Sequence, residues 1–512
     1  MAYRALVLQG GGPLGAYEAG AYGALYDSIS KRIKDNENVF DIIAGTSIGA
    51  INAAIIISHV VDNRRQHPSW TVLKCWERSA EKLEEFWRGR ISSDPDLRWT
   101  PYYTRWKEDR EREGWRRVYP RIATTEAARR YYSVKEFLRR GAKNVFTPEE
   151  QFPLYDERFL DNNRVDDINN LWFRYSNYPL KQSVKDYITF PIKTDPDNNE
   201  PRLLLVTVDI EEGETVTFDS FSKKSEYKYT IHYGQGLMVE HILASASIPL
   251  LYDFQRVPLK YDYTKAERGQ EQDSTPENSR PFWDGALLSN TPIRELISHH
   301  KLFWENNIKP TNEKTVYQMR NEKDKRKRKQ YAGELFELLW KEMTAIATTD
   351  VAEIQKNVSK LKAPDLDVYI VNLWPTKEKP FPQNHDYDLT KYRMFDIINH
   401  DKTKYDLKVA KLVSDYIELT RNLIQRLVKE GDKEAVRKIL LNDSKTRSKF
   451  REGMSRMYLD LLIGRLDVNE RLRLERTENS EDTVSNKWVD LSVQTVVHLI
   501  EEGKGDCRRA LS

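Results

Sequence analysis

Val39-Phe40-Asp41-Ile42-Ile43-Ala44-Gly45-Thr46-Ser47-Ile48-Gly49 is the stretch on which the fold turns. The apolar run 39–44 suits a buried strand, and the apolar run 48–61 is long enough for a buried helix. Between them Gly45-Thr46-Ser47-Ile48-Gly49 spells G-x-S-x-G, which holds a serine on a sharp strand-to-helix turn with its hydroxyl exposed for attack. Gly45 and Gly49 lack side chains where strand and helix crowd that turn. Ser47 is therefore the first residue to read as a nucleophile. The pattern also arises by chance, so its weight rests on partners elsewhere in the chain.

Upstream, residues 3–9 form a short hydrophobic strand that runs into Gly10-Gly11-Gly12-Pro13-Leu14-Gly15 and then a helical segment reaching about Arg32, with Tyr22, Leu25, Ile29 and Ile33 at helical spacing. A β-α-β-α opening of this kind argues for an α/β fold with a parallel sheet covered by helices. Glycines directly after a strand leave backbone N–H groups unobstructed, and the following helix N-terminus favours negative charge, so Gly10, Gly11 and Gly12 read as an oxyanion hole. Gly10, Gly12 and Gly15 also fit G-x-G-x-x-G. A dinucleotide site would need an acidic residue ending the second strand, whereas Asp41 begins that strand and Ser47 occupies the turn after it.

The 512 residues suggest roughly two to four structural units. With 39% hydrophobic and 31% charged residues the chain reads as soluble, and its longest apolar run, 48–61, is too short to span a bilayer. The N-terminus shows no leader pattern, which points to a cytoplasmic protein, with contact at a membrane surface as a peripheral option. Cys75 and Cys507 are too few for a disulfide framework and lack metal-site spacing. A net charge of +3 gives no argument for nucleic acid.

Residues 62–195 read as a helical insertion carrying Trp70, Trp76, Trp87, Trp99, Trp106 and Trp115 among many arginines. The aromatic and basic residues at 99–117 fit an interfacial face or acyl-chain pocket toward lipid, a surface that stacks nucleotides, or a packed helical subdomain with solvated arginines. Residues 202–210 and 215–218, separated by Glu211-Glu212-Gly213-Glu214, predict a hairpin. Residues 238–250 predict a helix ending in a loop in which Ser245 and Ser247 are packing residues. Residues 262–281 read as a polar surface loop and 321–330 as a solvated charge run. Residues 367–373 are expected to be the last strand of the core, with charged helices following from about Lys391. A Ser-His-Asp triad would need a late histidine, and His385 and His400 lie in no informative motif.

The glycine loop, Gly45-Thr46-Ser47-Ile48-Gly49 and Asp284-Gly285-Ala286, in that order, resemble the patatin-like phospholipase family across roughly residues 3–375. The resemblance implies a three-layer core with a mainly parallel sheet over 1–375, the helical insertion included, and a helical extension over 376–512. It implies Ser47 as nucleophile, Asp284 as its partner in a dyad without histidine, and Gly10, Gly11 and Gly12 as oxyanion donors. Gly15, Gly45, Gly49, Gly285 and Ala286 complete the motifs. The implied substrate is a lipid or another acyl ester, with no metal or cofactor. Acyl transfer from the same acyl-enzyme, or a lipid-binding scaffold without turnover, are the alternatives. Many members carry arginine or lysine where this chain has Leu14, which leaves the amides and helix end to supply positive potential. Asp284 needs a raised pKa to serve as base, and Trp283 is the apolar wall expected to raise it.

Overall fold

The computed structural model describes residues 2–95, 125–148, 175–222, 231–249, 251–268, 270, 272–309, 314–347, 361–374, 390, 393–394, 397–399, 403–429, 432–447, 455–476 and 489–512. His385, His400, Trp99, Trp106, Trp115 and the neighbouring aromatic and basic residues of 99–117 lie outside them.

Strand β1 (Tyr3–Leu8) leads through the glycine loop into α1 (Gly15–Ile29), and β2 (Ile42–Thr46) leads through Ser47 into α2 (Ile48–Gln66). Every residue of β2 is buried, as expected for a parallel strand covered on both faces. The apolar part of α2 is buried as far as Val61, and the helix ends in Arg64 and Arg65, cations that suit its negative end. The predicted hairpin is β3 (Arg202–Asp209) and β4 (Glu214–Asp219). The other strands of the main sheet are β5 (Gln255–Pro258), β6 (Ser279–Asp284), β7 (Leu366–Asn372) and β8 (Val468–Glu475).

These eight strands form one mixed sheet in the order β8-β7-β1-β2-β3-β6-β5, with β4 also on β3. The pairs β1-β2 and β2-β3 are parallel, while β3-β4, β3-β6 and β6-β5 are antiparallel. The α/β class is as expected, but β7 is not the last strand. β8 lies outside it and reads Val-Asn-Glu-Arg-Leu-Arg-Leu-Glu, because an edge strand with a solvated face can be charged, and the charges discourage further strand pairing.

The chain divides into two compact units, one made of Met1–Tyr3, Ile293–Val368 and Lys402–Glu470, the other of Arg4–Pro292, Tyr369–Asp401 and Arg471–Ser512. The first is largely helical. Its longest described helices are Lys325–Ala347, whose charged start is mostly exposed and whose Leu335, Phe336, Leu339 and Met343 are buried, and Thr403–Lys429. It contains a groove of ≈ 580 Å³ lined by residues such as Leu302, Tyr416 and Leu461, none of them motif residues.

The second unit holds the motifs. Trp76 and Trp87, two of the expected insertion tryptophans, are fully buried in its core. The insertion helix α3 (Thr125–Arg140) is tied to the chain's C-terminal part through Asp490, which accepts hydrogen bonds from Ser133 and Thr495 and pairs with Arg130. Val239–Ala246 forms α4, and the last helix, α5 (Val493–Leu511), packs closely on α1. A Cβ on Gly503 would lie 2.1 Å from the Tyr17 carbonyl oxygen, and one on Gly20 only 1.9 Å from that of Ile500. Helix α5 is thus core to the unit that contains Ser47. Gly503→Val should force α1 and α5 apart and cost about 2–3 kcal/mol, read as a lower urea midpoint at unchanged m-value; an unchanged midpoint would contradict this close approach.

Candidate active site

Strand β3 brings the Ser47 and Asp284 side chains together. Its residues 204–206 pair with β2 on one side and β4 on the other, and its residues 207–209 pair with β6 and β4. β2 and β6 therefore share one edge of β3. Thr46 is the partner of Val206 and Asp284 of Thr207, so the C-terminal ends of the two strands meet head to head. A Cβ on Gly285 would lie 2.3 Å from the Val206 carbonyl oxygen, which shows how tight the junction is.

Across that junction Ser47 Oγ donates a 2.5 Å hydrogen bond to Asp284 Oδ2. Ser47 has φ 56° and ψ −123°, a backbone conformation that L-residues other than glycine rarely adopt. Strain held at a single serine between a strand and a buried helix marks a functional turn. The Ser47 amide donates to Ser245 Oγ at 2.9 Å, and Ser245 Oγ donates in turn to the Val206 carbonyl at 2.5 Å. Asp284 is held as firmly: its amide donates to the Ser247 carbonyl, and Oδ1 accepts the Ala286 amide at 2.8 Å. Ser245 and Ser247, which the sequence suggests only as packing residues, are supports of the pair.

The glycine loop lies beside it. A Cβ on Gly10 would come within 3.0 Å of Ser47 Cβ. Gly10 itself is doubly engaged, its amide donating to the Asn290 carbonyl at 3.2 Å and its carbonyl accepting Trp374 Nε1 at 2.7 Å. β1's exit is thus pinned before the turn begins. Gln9 does much of the pinning: its buried amide donates to Thr291 Oγ1 and accepts the Leu373 and Trp374 amides. Gly12 has φ +56°, open to glycine and strained for most other residues. Leu14 is fully buried, so position 14 packs into the core.

A family model described as patatin-like phospholipase matches residues 6–297, more than half of the chain. The chain belongs to the patatin-like phospholipases. Comparison with curated proteins gives no match. A solved structure, titled the crystal structure of VipD from Legionella pneumophila, is 12% identical, covering 86% of this chain and 79% of that one, with a TM-score of 0.24. The family consists of lipid acyl hydrolases, and the matched span contains the glycine loop, Ser47 and Asp284.

In this patatin-like chain burial dominates the Asp284 carboxyl. It raises the pKa from 3.8 to about 7, against the smaller lowering by the hydrogen bonds from Ser47 and the Ala286 amide. Trp283 and Asp284 alternate along β6, opposite Val208 and Thr207, and the buried Tyr252 is near enough to Asp284 to feel its charge. Because the folded state favours the protonated form, stability linked to this group is full at low pH, declines between pH 3.8 and about 7, and stays low above. Asp284→Asn removes the ionisation; its Oδ1 still accepts the Ala286 amide and its Nδ2 donates to Ser47 Oγ, reversing that bond. It should stabilise the fold at pH 8 by up to about 4 kcal/mol, the gap closing toward pH 4. Thermal melts across that range check this; a variant less stable than wild type at pH 8 would contradict it.

Proposed function

We propose that this protein is a serine acyl hydrolase that cleaves fatty-acyl esters of phospholipids or lysophospholipids through a Ser47–Asp284 dyad and an acyl-enzyme. The observation that carries the reading is the 2.5 Å bond from a strained, nearly buried serine to a carboxylate whose pKa is about 7. A serine hydroxyl is a weak nucleophile until a base takes its proton, and a carboxylate of ordinary pKa is a poor base for it. At about 7, Asp284 is ionised for part of the population at neutral pH and holds the proton well once it has it.

Ser47 Oγ attacks the ester carbonyl carbon as its proton passes to Asp284 Oδ2. The carbonyl oxygen becomes an oxyanion facing the Gly11 and Gly12 amides, neither of which is engaged elsewhere among the described residues, at the positive end of α1. Collapse of the tetrahedral intermediate breaks the ester C–O bond, and Asp284 returns the proton to the departing alcohol. Water then attacks the acyl-Ser47 carbonyl, giving its proton to Asp284. Expulsion of Ser47 Oγ, which takes that proton back, releases the fatty acid.

The surroundings suit a lipid. Leu287 and Leu288, directly after the Asp284 motif, and Met394, Ile397 and Ile398 are each 44–58% exposed. The two groups are linked by Asn290 Nδ2 donating to the Asn399 carbonyl at 3.1 Å. Exposed apolar side chains on both sides of this link form a rim beside the dyad, and the proposed occupant is the surface of aggregated phospholipid that supplies the ester. No described helix is long and apolar enough to cross a membrane, so the contact would be peripheral.

Ser47→Ala should lower kcat for a water-soluble nitrophenyl acyl ester by at least about 1,000-fold while the fold persists, and wild-type kcat/KM should rise with pH through an apparent pKa near 7. Turnover retained by Ser47→Ala would remove the nucleophile assignment. For the rim, the double variant Leu288→Ser/Ile397→Ser should lower the ratio of turnover on phosphatidylcholine vesicles to turnover on the soluble ester by about 10-fold. An unchanged ratio would contradict lipid contact at the rim, and a product esterified to added alcohol in place of free fatty acid would assign acyl transfer.

A further inference from the structure

Glu18 is a carboxyl that the hydrolase mechanism does not use, yet it lies in the first turn of α1, directly behind the glycine loop, and is completely buried. Its Oε2 accepts a 2.9 Å hydrogen bond from Asn52 Nδ2, and Oε1 has no hydrogen-bond partner among the described residues. Asn52 is also fully buried, on α2 five residues beyond Ser47. All of its hydrogens and its oxygen are engaged. Nδ2 donates to Glu18 Oε2 and to the Gly15 carbonyl at 3.0 Å, and Oδ1 accepts Trp87 Nε1 at 3.0 Å. Indole N–H can only donate, so Asn52 must present its oxygen to Trp87 and its NH2 to Glu18 and Gly15. The arrangement has one orientation.

The chain of bonds continues into the loop. The Gly15 amide donates to the Gly12 carbonyl, and the Gly15 carbonyl accepts from Asn52. Two consecutive hydrogen bonds thus connect the peptide of Gly12 to the helix that begins at Ser47. Glu18 closes the ring from the first turn of α1, and the Gln9 backbone, at the loop's other end, acts on the same carboxyl. We propose that Glu18 and Asn52 form a clasp that fixes the Gly11 and Gly12 amides relative to Ser47 Oγ, making Glu18 a positioning residue for the acyl-transfer steps. The inference rests on the hydrolase reading above.

A carboxyl is a costly way to fill this space. Burial drives the Glu18 pKa well above its ordinary value, outweighing the Asn52 and Gln9 hydrogen bonds that lower it, and so favours the uncharged form. An apolar side chain of the same length would pack without that cost, and such exchanges of buried polar groups are often neutral or stabilising. The clasp explains what the apolar residue would lose: an acceptor for the Asn52 amide, without which one N–H is left unpaired and free to draw Asn52 away from Gly15.

Glu18→Met and Glu18→Gln separate positioning from packing. Met keeps the volume and removes the acceptor, whereas Gln keeps the acceptor and the neutral charge. The clasp predicts that Glu18→Met melts within a few degrees of wild type but turns over the soluble nitrophenyl ester with kcat about 10- to 100-fold lower and KM within about two-fold, a misplaced oxyanion loop being felt in the transition state. Glu18→Gln should restore kcat to within about three-fold of wild type. Asn52→Ala should match Glu18→Met, and the double variant should lose no more than either alone. Wild-type kcat in a folded Glu18→Met, a loss confined to KM, or a Glu18→Gln as impaired as Glu18→Met would each overturn the clasp while leaving the dyad standing. If Glu18→Met fails to fold, Asn52→Ala and Glu18→Gln decide the question by the same kcat criterion. A wild type with no Ser47-dependent turnover overturns the hydrolase reading and the clasp together.

Discussion

Two strands meeting head to head on one edge of β3 are the constraint on which the rest of this molecule depends. Val206 holds the end of β2 and Thr207 the end of β6, so a serine and an aspartate 237 residues apart face each other across one step of backbone. Neither could be placed by local structure alone. The opposite edge of β3 is covered along its length by β4, whose register is locked where the buried Arg202 guanidinium meets Asp219 through Nε at 2.9 Å. With β3 buried and both edges occupied, a shift of either reactive strand would break a ladder and flip its side chains to the wrong face.

The same geometry explains why the site is destabilising in itself and persists. A positive φ at Ser47 and a carboxyl buried at Asp284 with no cation paired to it among the described residues both oppose folding. They are over-determined by their neighbours: Ser245 and Ser247 from the segment ending α4, the Ala286 amide, and the buried helix α2. The unfavourable burial that costs stability at neutral pH is also what gives Asp284 a pKa suited to proton transfer. Rigidity of the loop follows from a second set of polar groups, Gln9 and Trp374 at its entry and Asn52 and Glu18 at its exit. A buried polar network of this kind specifies one arrangement, at a cost an apolar core would avoid.

Much of this was legible in the sequence where chemistry and local backbone coincide. Glycine spacing, the apolar runs around Ser47 and the turn between β3 and β4 are signals carried by adjacent residues. Asp284 is different: Asp-Gly is a common turn, and the aspartate stood out only through the resemblance of three ordered motifs. The supports of the site were not legible, because Ser245, Gln9, Trp374 and Asn52 act through hydrogen bonds to residues remote in sequence. The engagement of the Gly10 amide by Asn290 is hidden for the same reason. β8 was missed because a charged edge strand has the composition of a solvated helix. Sequence adjacency does not say which side chains wall Asp284, because neighbours in a strand alternate between faces.

The account's central claim is that Asp284 activates Ser47, and mass-mapped labelling with a fluorophosphonate ester tests it most directly. The predicted result is one adduct, on Ser47, forming at a rate that rises with pH, half-maximal near 7, and collapsing in Asp284→Asn. An adduct on another residue, or labelling of Ser47 at an equal rate in Asp284→Asn, would contradict it.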